Sequence, residues 1–125
     1  MYILPKPAAI EEKDGDFLLD YTAYLVLDAE CSRRNWRQVQ LLAEKIEKIT
    51  GFSLHVTKGQ ARRGDLRIGL LHEENNPEGY YKLQIEKDGV SILGTEDSVL
   101  YGIQTLIQII EQNGALLPCL EIRDY

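Results

Sequence analysis

Hydrophobic residues recur along this chain with two different periods, and each period predicts its own kind of element. Tyr81, Leu83 and Ile85 alternate with Lys82, Gln84 and Glu86. Lys87-Asp88-Gly89 then supplies a turn, and Val90, Ile92 and Gly94 form a return strand. Elsewhere the period lengthens to three and four. Val39, Leu42, Ala43, Ile46 and Ile49, with Trp36 at the edge of the stripe, predict a helix over 35–50. Glu44 and Lys48 form an i,i+4 pair on another face of it, and Gly51 stops it. Val99, Ile103, Leu106 and Ile110, widened by Leu100 and Ile107, predict a second helix from about residue 97 to 112. Thr95 or Asp97 is placed to cap it, and Gly114 follows it.

Shorter apolar runs complete the pattern. Pro5 and Pro7 hold the first residues extended, and Gly15 marks a turn. The run 17–27 is expected to bend around Asp20-Tyr21 and end as a strand at Leu25-Val26-Leu27. Further strands are expected over 52–57, 66–71 and 116–122, the last broken in part by Pro118. Residues 72–78 read as a polar loop stopped by Pro77. The order strand, helix, several strands, helix, strand predicts an α+β fold. A single mixed, mostly antiparallel sheet carries two helices packed side by side on one face. With 125 residues, the chain is expected to form one domain, 1–125, around one core.

Composition removes several function classes. The formal net charge of −6 disfavours nucleic acids and anionic membranes, which attract basic surfaces. The clusters Arg33-Arg34-Arg37 and Arg62-Arg63-Arg67 read as solvated surface. No apolar run is long enough to span a bilayer. The opening residues lack a signal-peptide pattern, so a cytoplasmic location is expected for the chain as it stands, with export open to a longer parent. Cys31 and Cys119 are expected to be free thiols, Cys119 as a small buried hydrophobe.

The chain is poor in reactive constellations. His55 is expected to face solvent, and His72 with Glu74 supplies only two of the three or four ligands a metal needs. Asp65 and Asp88 read as turn residues. Glu96 and Asp97 are neighbours in sequence, a poor arrangement for flanking a sugar ring, and suit a helix start instead. Nucleophile elbows and phosphate loops are absent. Tyr80, Tyr81 and Tyr101 invite comparison with a sugar-stacking platform, but the alternation puts Tyr81 on the apolar side, away from Tyr101. Catalytic residues, cofactors, metals and direct sugar binding are therefore not expected.

One surface departs from this plain picture. The second helix carries a polar side of Tyr101, Gln104, Thr105 and Gln108 that has no charge. An uncharged, aromatic-bearing face is the composition of a surface that loses water on contact. Leu41, off the stripe of the first helix, marks a second contact point. These five residues are the candidate domain interface.

The wording of 79–108 also resembles a known domain. Gly79, Tyr80, Leu83, Ile85, Gly89, Val90 and Ile92 are followed by Tyr101, Gly102, Gln104, Thr105, Leu106 and Gln108. This is similar to the hairpin and YG-x-QTL-x-Q helix of the non-catalytic domain that precedes the barrel in family 20 glycoside hydrolases, the β-N-acetylhexosaminidases. The opening Ile3-Leu4-Pro5-Lys6-Pro7 resembles the start of such domains, and Ile122 and Asp124 resemble the link into the barrel. Ser98-Val99-Leu100 stands where a glycine often precedes the YG pair. The resemblance implies a structural domain, inactive alone. Its partner would be a catalytic (β/α)₈ barrel of the same polypeptide, which removes terminal N-acetylhexosamines with retention. In that family the helices lie toward the barrel and the sheet faces outward. O-GlcNAc hydrolases and α-glucuronidases carry a similar leading domain. A carbohydrate-binding module and a stand-alone protein-interaction domain are the other readings.

Overall fold

A computed structural model describes residues 2–72 and 79–125. The elements run β1 (Ala9–Leu18), β2 (Tyr24–Leu27), α1 (Arg33–Thr50), β3 (His55–Lys58), β4 (Leu66–Leu70), β5 (Tyr81–Glu86), β6 (Gly89–Gly94), α2 (Val99–Asn113) and β7 (Leu116–Asp124). The strands form one seven-stranded sheet in the order β1-β7-β5-β6-β4-β2-β3. β1–β7, β7–β5 and β5–β6 pair antiparallel, whereas β6–β4, β4–β2 and β2–β3 pair parallel. The antiparallel ladders run five to seven residue pairs against three to five for the parallel ones, so the sheet is mixed and mostly antiparallel. Both helices pack on one face of it and against each other.

The core lies between sheet and helices. Val39, Leu42 and Ile46 of α1 meet Leu25, Leu27 and Ile68, while Ile103, Leu106 and Ile110 of α2 share the same cluster with Leu83, Ile92, Leu120 and Ile122. α1 starts at Arg33, two residues before the expected position, because Ser32 caps it. The Ser32 hydroxyl accepts the Asn35 N–H, and the Asn35 side chain accepts the Ser32 N–H in return. The N-cap residue of α2 is Ser98, not the expected Thr95 or Asp97, and its side chain makes no capping bond. Thr95 Oγ1 accepts the Ser98 N–H at 3.0 Å, and the Thr95 carbonyl accepts the Val99 N–H at 3.1 Å. Asp97 instead pairs with Arg34 of α1.

The largest difference from the sequence pattern is β1. Its ten residues were not legible as a strand, because they are exposed almost throughout and only Phe17 is buried. Pairing to β7, rather than a buried face, makes this segment extended. Gly15, read as a turn, is instead the positive-φ residue (97°) inside an irregularity between Glu12 and Asp16. The charged residues of β1 guard a sheet edge. The run 17–27 divides between the end of β1 and the whole of β2. β7 continues through Pro118, whose missing N–H falls opposite Asp16, just past that irregularity. The strand expected over 52–57 is regular only at His55–Lys58. Of the polar loop, 73–78 lies outside the described residues.

Candidate functional site

His72 Nε2 lies 2.8 Å from Glu30 Oε1 on the exposed surface, and Glu74 lies outside the described residues. Among the described residues no group of three His, Cys, Asp or Glu side chains converges as a metal site would. Asp65 is buried, and its carboxylate accepts the backbone N–H groups of Tyr24 and Arg62. Cys31 and Cys119 are free and buried, and burial is the main reason both thiols sit above their ordinary pKa. His55 is exposed, as expected. No described helix is long and apolar enough to cross a membrane.

The outer side of α2 is where unusual geometry gathers. Residues 2–4 run as an extended strap along it, with Ile3 buried between the exposed side chains of Tyr2 and Leu4. Two glutamines one helical turn apart hold this strap by its backbone. Gln108 accepts the Leu4 N–H at 2.8 Å and donates to the Leu4 carbonyl at 2.7 Å. Gln112 accepts the Tyr2 N–H at 2.8 Å and donates to the Tyr2 carbonyl. The fit follows from two repeats. An i,i+4 step along a helix advances ~6.0 Å, and an i,i+2 step along an extended chain ~6.6 Å. A column of helix glutamines thus presents donors and acceptors at nearly the spacing of a neighbouring β-strand. Only a carboxamide serves here, since Glu offers acceptors alone and Lys donors alone. This explains part of the missing charge on the helix face.

Beyond Leu4 the strap leaves the helix, and a cleft of about 350 Å³ opens. Leu4, Pro5, Tyr101, Gln104 and Gln108 form one side of it, and Tyr81, Thr105, Asp124 and Tyr125 line the rest. Of the five expected interface residues, four therefore meet at one cleft. Leu41, on α1, is not among its lining, although it is exposed. Within the four, roles differ. Tyr101 and Gln104 are exposed. Thr105 is only 5% exposed, and its hydroxyl shares a 2.7 Å hydrogen bond with the Tyr81 hydroxyl, so it forms the floor. Burial raises the Tyr81 phenol above its ordinary pKa while the Thr105 hydroxyl opposes the shift, which leaves Tyr81 neutral at physiological pH. Gln108 is occupied by the strap. The strap and Gln112 were missed in the sequence. The signal available was the repeat Gln104, Gln108, Gln112 at intervals of four.

Gly102 explains why α2 lies so close to the sheet beneath this cleft. A Cβ at this position would stand 2.5 Å from Ile92 Cγ2 and 3.2 Å from the Tyr81 ring. Tyr80, by contrast, contributes its backbone carbonyl, which accepts the Ser98 hydroxyl at 2.6 Å. The three tyrosines therefore form no shared platform: Tyr81 is buried and Tyr101 exposed.

Comparison with known proteins gives one family. The family model described as glycosyl hydrolase family 20, domain 2, matches residues 1–125. No curated protein matches the sequence. Among solved structures, the β-N-acetylhexosaminidase of Streptomyces coelicolor A3(2) is similar at 28% identity and a TM-score of 0.76, over 94% of this chain and 25% of that one. A β-hexosaminidase of Streptomyces plicatus in complex with its product GlcNAc matches at 25% identity and 0.76, over 98% of this chain and 26% of that one. The chitobiase of Flavobacterium johnsoniae shares the fold at 19% identity and 0.78, over 98% of this chain and 20% of that one. The chain thus spans about a fifth to a quarter of the length of these structures.

Proposed function

Because the chain belongs to glycosyl hydrolase family 20, as the non-catalytic N-terminal domain of its members, we propose that it buttresses a catalytic barrel in the same polypeptide. The parent would then remove terminal N-acetylhexosamine residues, and this domain would contribute stability and orientation rather than reacting groups. The observation that carries this reading is the outer side of α2. Its exposed residues Tyr101 and Gln104 are uncharged, and Leu4 beside them is 58% exposed. Such a surface gains by being covered: burying apolar area releases ~25 cal/mol per Å². Leu41 on α1 is exposed as well and is assigned to the same interface.

The test uses the whole polypeptide. Leu41→Asp and Tyr101→Asp place charges on exposed positions, so this domain keeps its own fold. Each is expected to lower the melting temperature of the catalytic part, or to split one unfolding transition into two. Unchanged melting and unchanged turnover of a chromogenic N-acetylglucosaminide in both variants would sink the buttress reading. Titration with N-acetylglucosamine is expected to give no saturable amide shifts at Tyr101 or Tyr125; saturable shifts there would favour a carbohydrate-binding module.

A further inference from the structure

The glutamine column on α2 has three members and only two are used. Gln112 holds Tyr2 and Gln108 holds Leu4, whereas Gln104, next in the same i,i+4 series, has no hydrogen-bond partner among the described residues. The strap does not reach it. The register of Tyr2 and Leu4 would bring Lys6 to Gln104, but no hydrogen bond joins those two described residues, and by Ala8 the chain is bonded elsewhere, its N–H donating to Asp124 Oδ1 at 3.0 Å. Gln104 therefore projects into the cleft with both a donor and an acceptor unspent, beside a strap that already shows what such a carboxamide binds.

The geometry points to a third rung: Gln104 receives the backbone N–H and C=O of one residue in an extended peptide segment. That segment enters the cleft in line with the strap. The occupant we assign is a segment of the catalytic domain of the same polypeptide, an assignment that rests on the buttress reading above. Continuity with the two existing rungs sets the chemistry. The binding mode is the addition of an extended peptide to a row of amide groups, with the edge supplied by a helix instead of a strand. Tyr101 and Leu4 flank the rung and favour an apolar side chain on the segment. Asp124, the one charged side chain among the described residues lining the cleft, disfavours an acidic one.

The experiment is made on the whole polypeptide. Gln104→Cys and, separately, Leu41→Cys are labelled with a benzophenone maleimide and photo-cross-linked, with the unsubstituted polypeptide labelled in parallel as the background; Cys31 and Cys119 of this domain are buried. The cross-linked peptide is identified by mass spectrometry. From position 104 the expected product is one extended segment of the catalytic domain. Deuterium exchange of that segment is expected to rise about fivefold in Gln104→Met, as for loss of one hydrogen bond. A cross-link from 104 to a helix, to a second copy of the chain, or to a segment whose exchange is unchanged in Gln104→Met overturns the third rung. The buttress reading then still stands, provided position 41 reaches the catalytic domain. If neither position cross-links to the catalytic domain, both readings fail together.

Discussion

α1 and α2 lie side by side on one face of the same sheet, yet they spend their outer surfaces differently. α1 carries seven charged residues among its eighteen, and α2 only Glu111 among its fifteen. α1 is finished in the manner of a solvated helix, with a reciprocal Ser32–Asn35 cap and a left-handed Gly51 at its end. The N-cap residue of α2, Ser98, makes no side-chain capping bond, and its hydroxyl serves the Tyr80 carbonyl instead. The contrast separates two causes of an uncharged surface that look alike in a sequence. Gln108, Gln112 and Thr105 are uncharged because they hold other parts of this same domain. Among the described residues Tyr101 and Gln104 make no side-chain hydrogen bond within it, and both are exposed.

Five substitutions and one titration test that division. The largest effects fall where the helices are alike. Leu106→Ala in α2 and Leu42→Ala in α1 remove side chains that are both fully buried, and each is expected to lose about 2–5 kcal/mol in chemical denaturation. A loss below ~1 kcal/mol at either site would deny that the helices share one core. Gly102→Ala comes next. Helix propensity alone favours alanine by up to ~1 kcal/mol. The 2.5 Å approach to Ile92 Cγ2 on a central strand should outweigh it, for a net loss of about 1–3 kcal/mol. A stabilised variant would show that α2 can lift off the sheet.

Smaller effects separate the outer surfaces. Gln108→Glu replaces the donor to the Leu4 carbonyl with a repelling oxygen, and is expected to lose about 1 kcal/mol and to speed amide exchange at Leu4. Gln40→Glu, on the exposed side of α1, should stay within about 0.5 kcal/mol. Equal losses at the two positions would erase the distinction between a clamped and a solvated glutamine. The gentlest test lies on the sheet. Burial works to raise the pKa of Glu121, but the Lys82 hydrogen bond and the charges of Lys82, Arg123 and Lys13 outweigh it and hold the carboxyl below its ordinary range. A lowered folded pKa stabilises above the unfolded value and is lost as pH falls through the folded one. Glu121→Gln should therefore flatten the acid limb of the stability profile below about pH 4.5. An unchanged slope there would show that the cluster contributes nothing.

Most of the fold was legible in the sequence because it is written in burial. The β5–β6 hairpin and both helical stripes were readable from apolar periodicity, and in the structure Leu83, Ile85, Val39, Leu106 and Ile110 are all buried. β1 was not legible, because an edge strand exposed on both faces leaves no alternation to read. The candidate site was half legible. Tyr101, Gln104, Thr105 and Gln108 stood out for want of charge, and the structure does bring them to one cleft. Their separate duties depend on partners distant in sequence. Thr105 answers to Tyr81, and Gln108 to Leu4, a residue 104 positions away. The family wording acquires a physical meaning here as well. Leu4 at the start is held by Gln108 of the helix, while Gly102 and Thr105 of the same helix meet Tyr81 of the sheet.

The strap and β1 also impose a schedule on the nascent chain. Tyr2 bonds to Gln112, and Ala9 pairs with Arg123, so the opening residues meet their partners only after nearly the whole domain has been translated. At roughly 5–20 residues per second, that is a wait of about 5–20 seconds. During this interval a β-edge segment and its strap travel unpaired, while β2, β3 and β4, which pair with one another, are already able to associate. The charges along β1 then acquire a second use, keeping that waiting segment apart from its copies on neighbouring ribosomes.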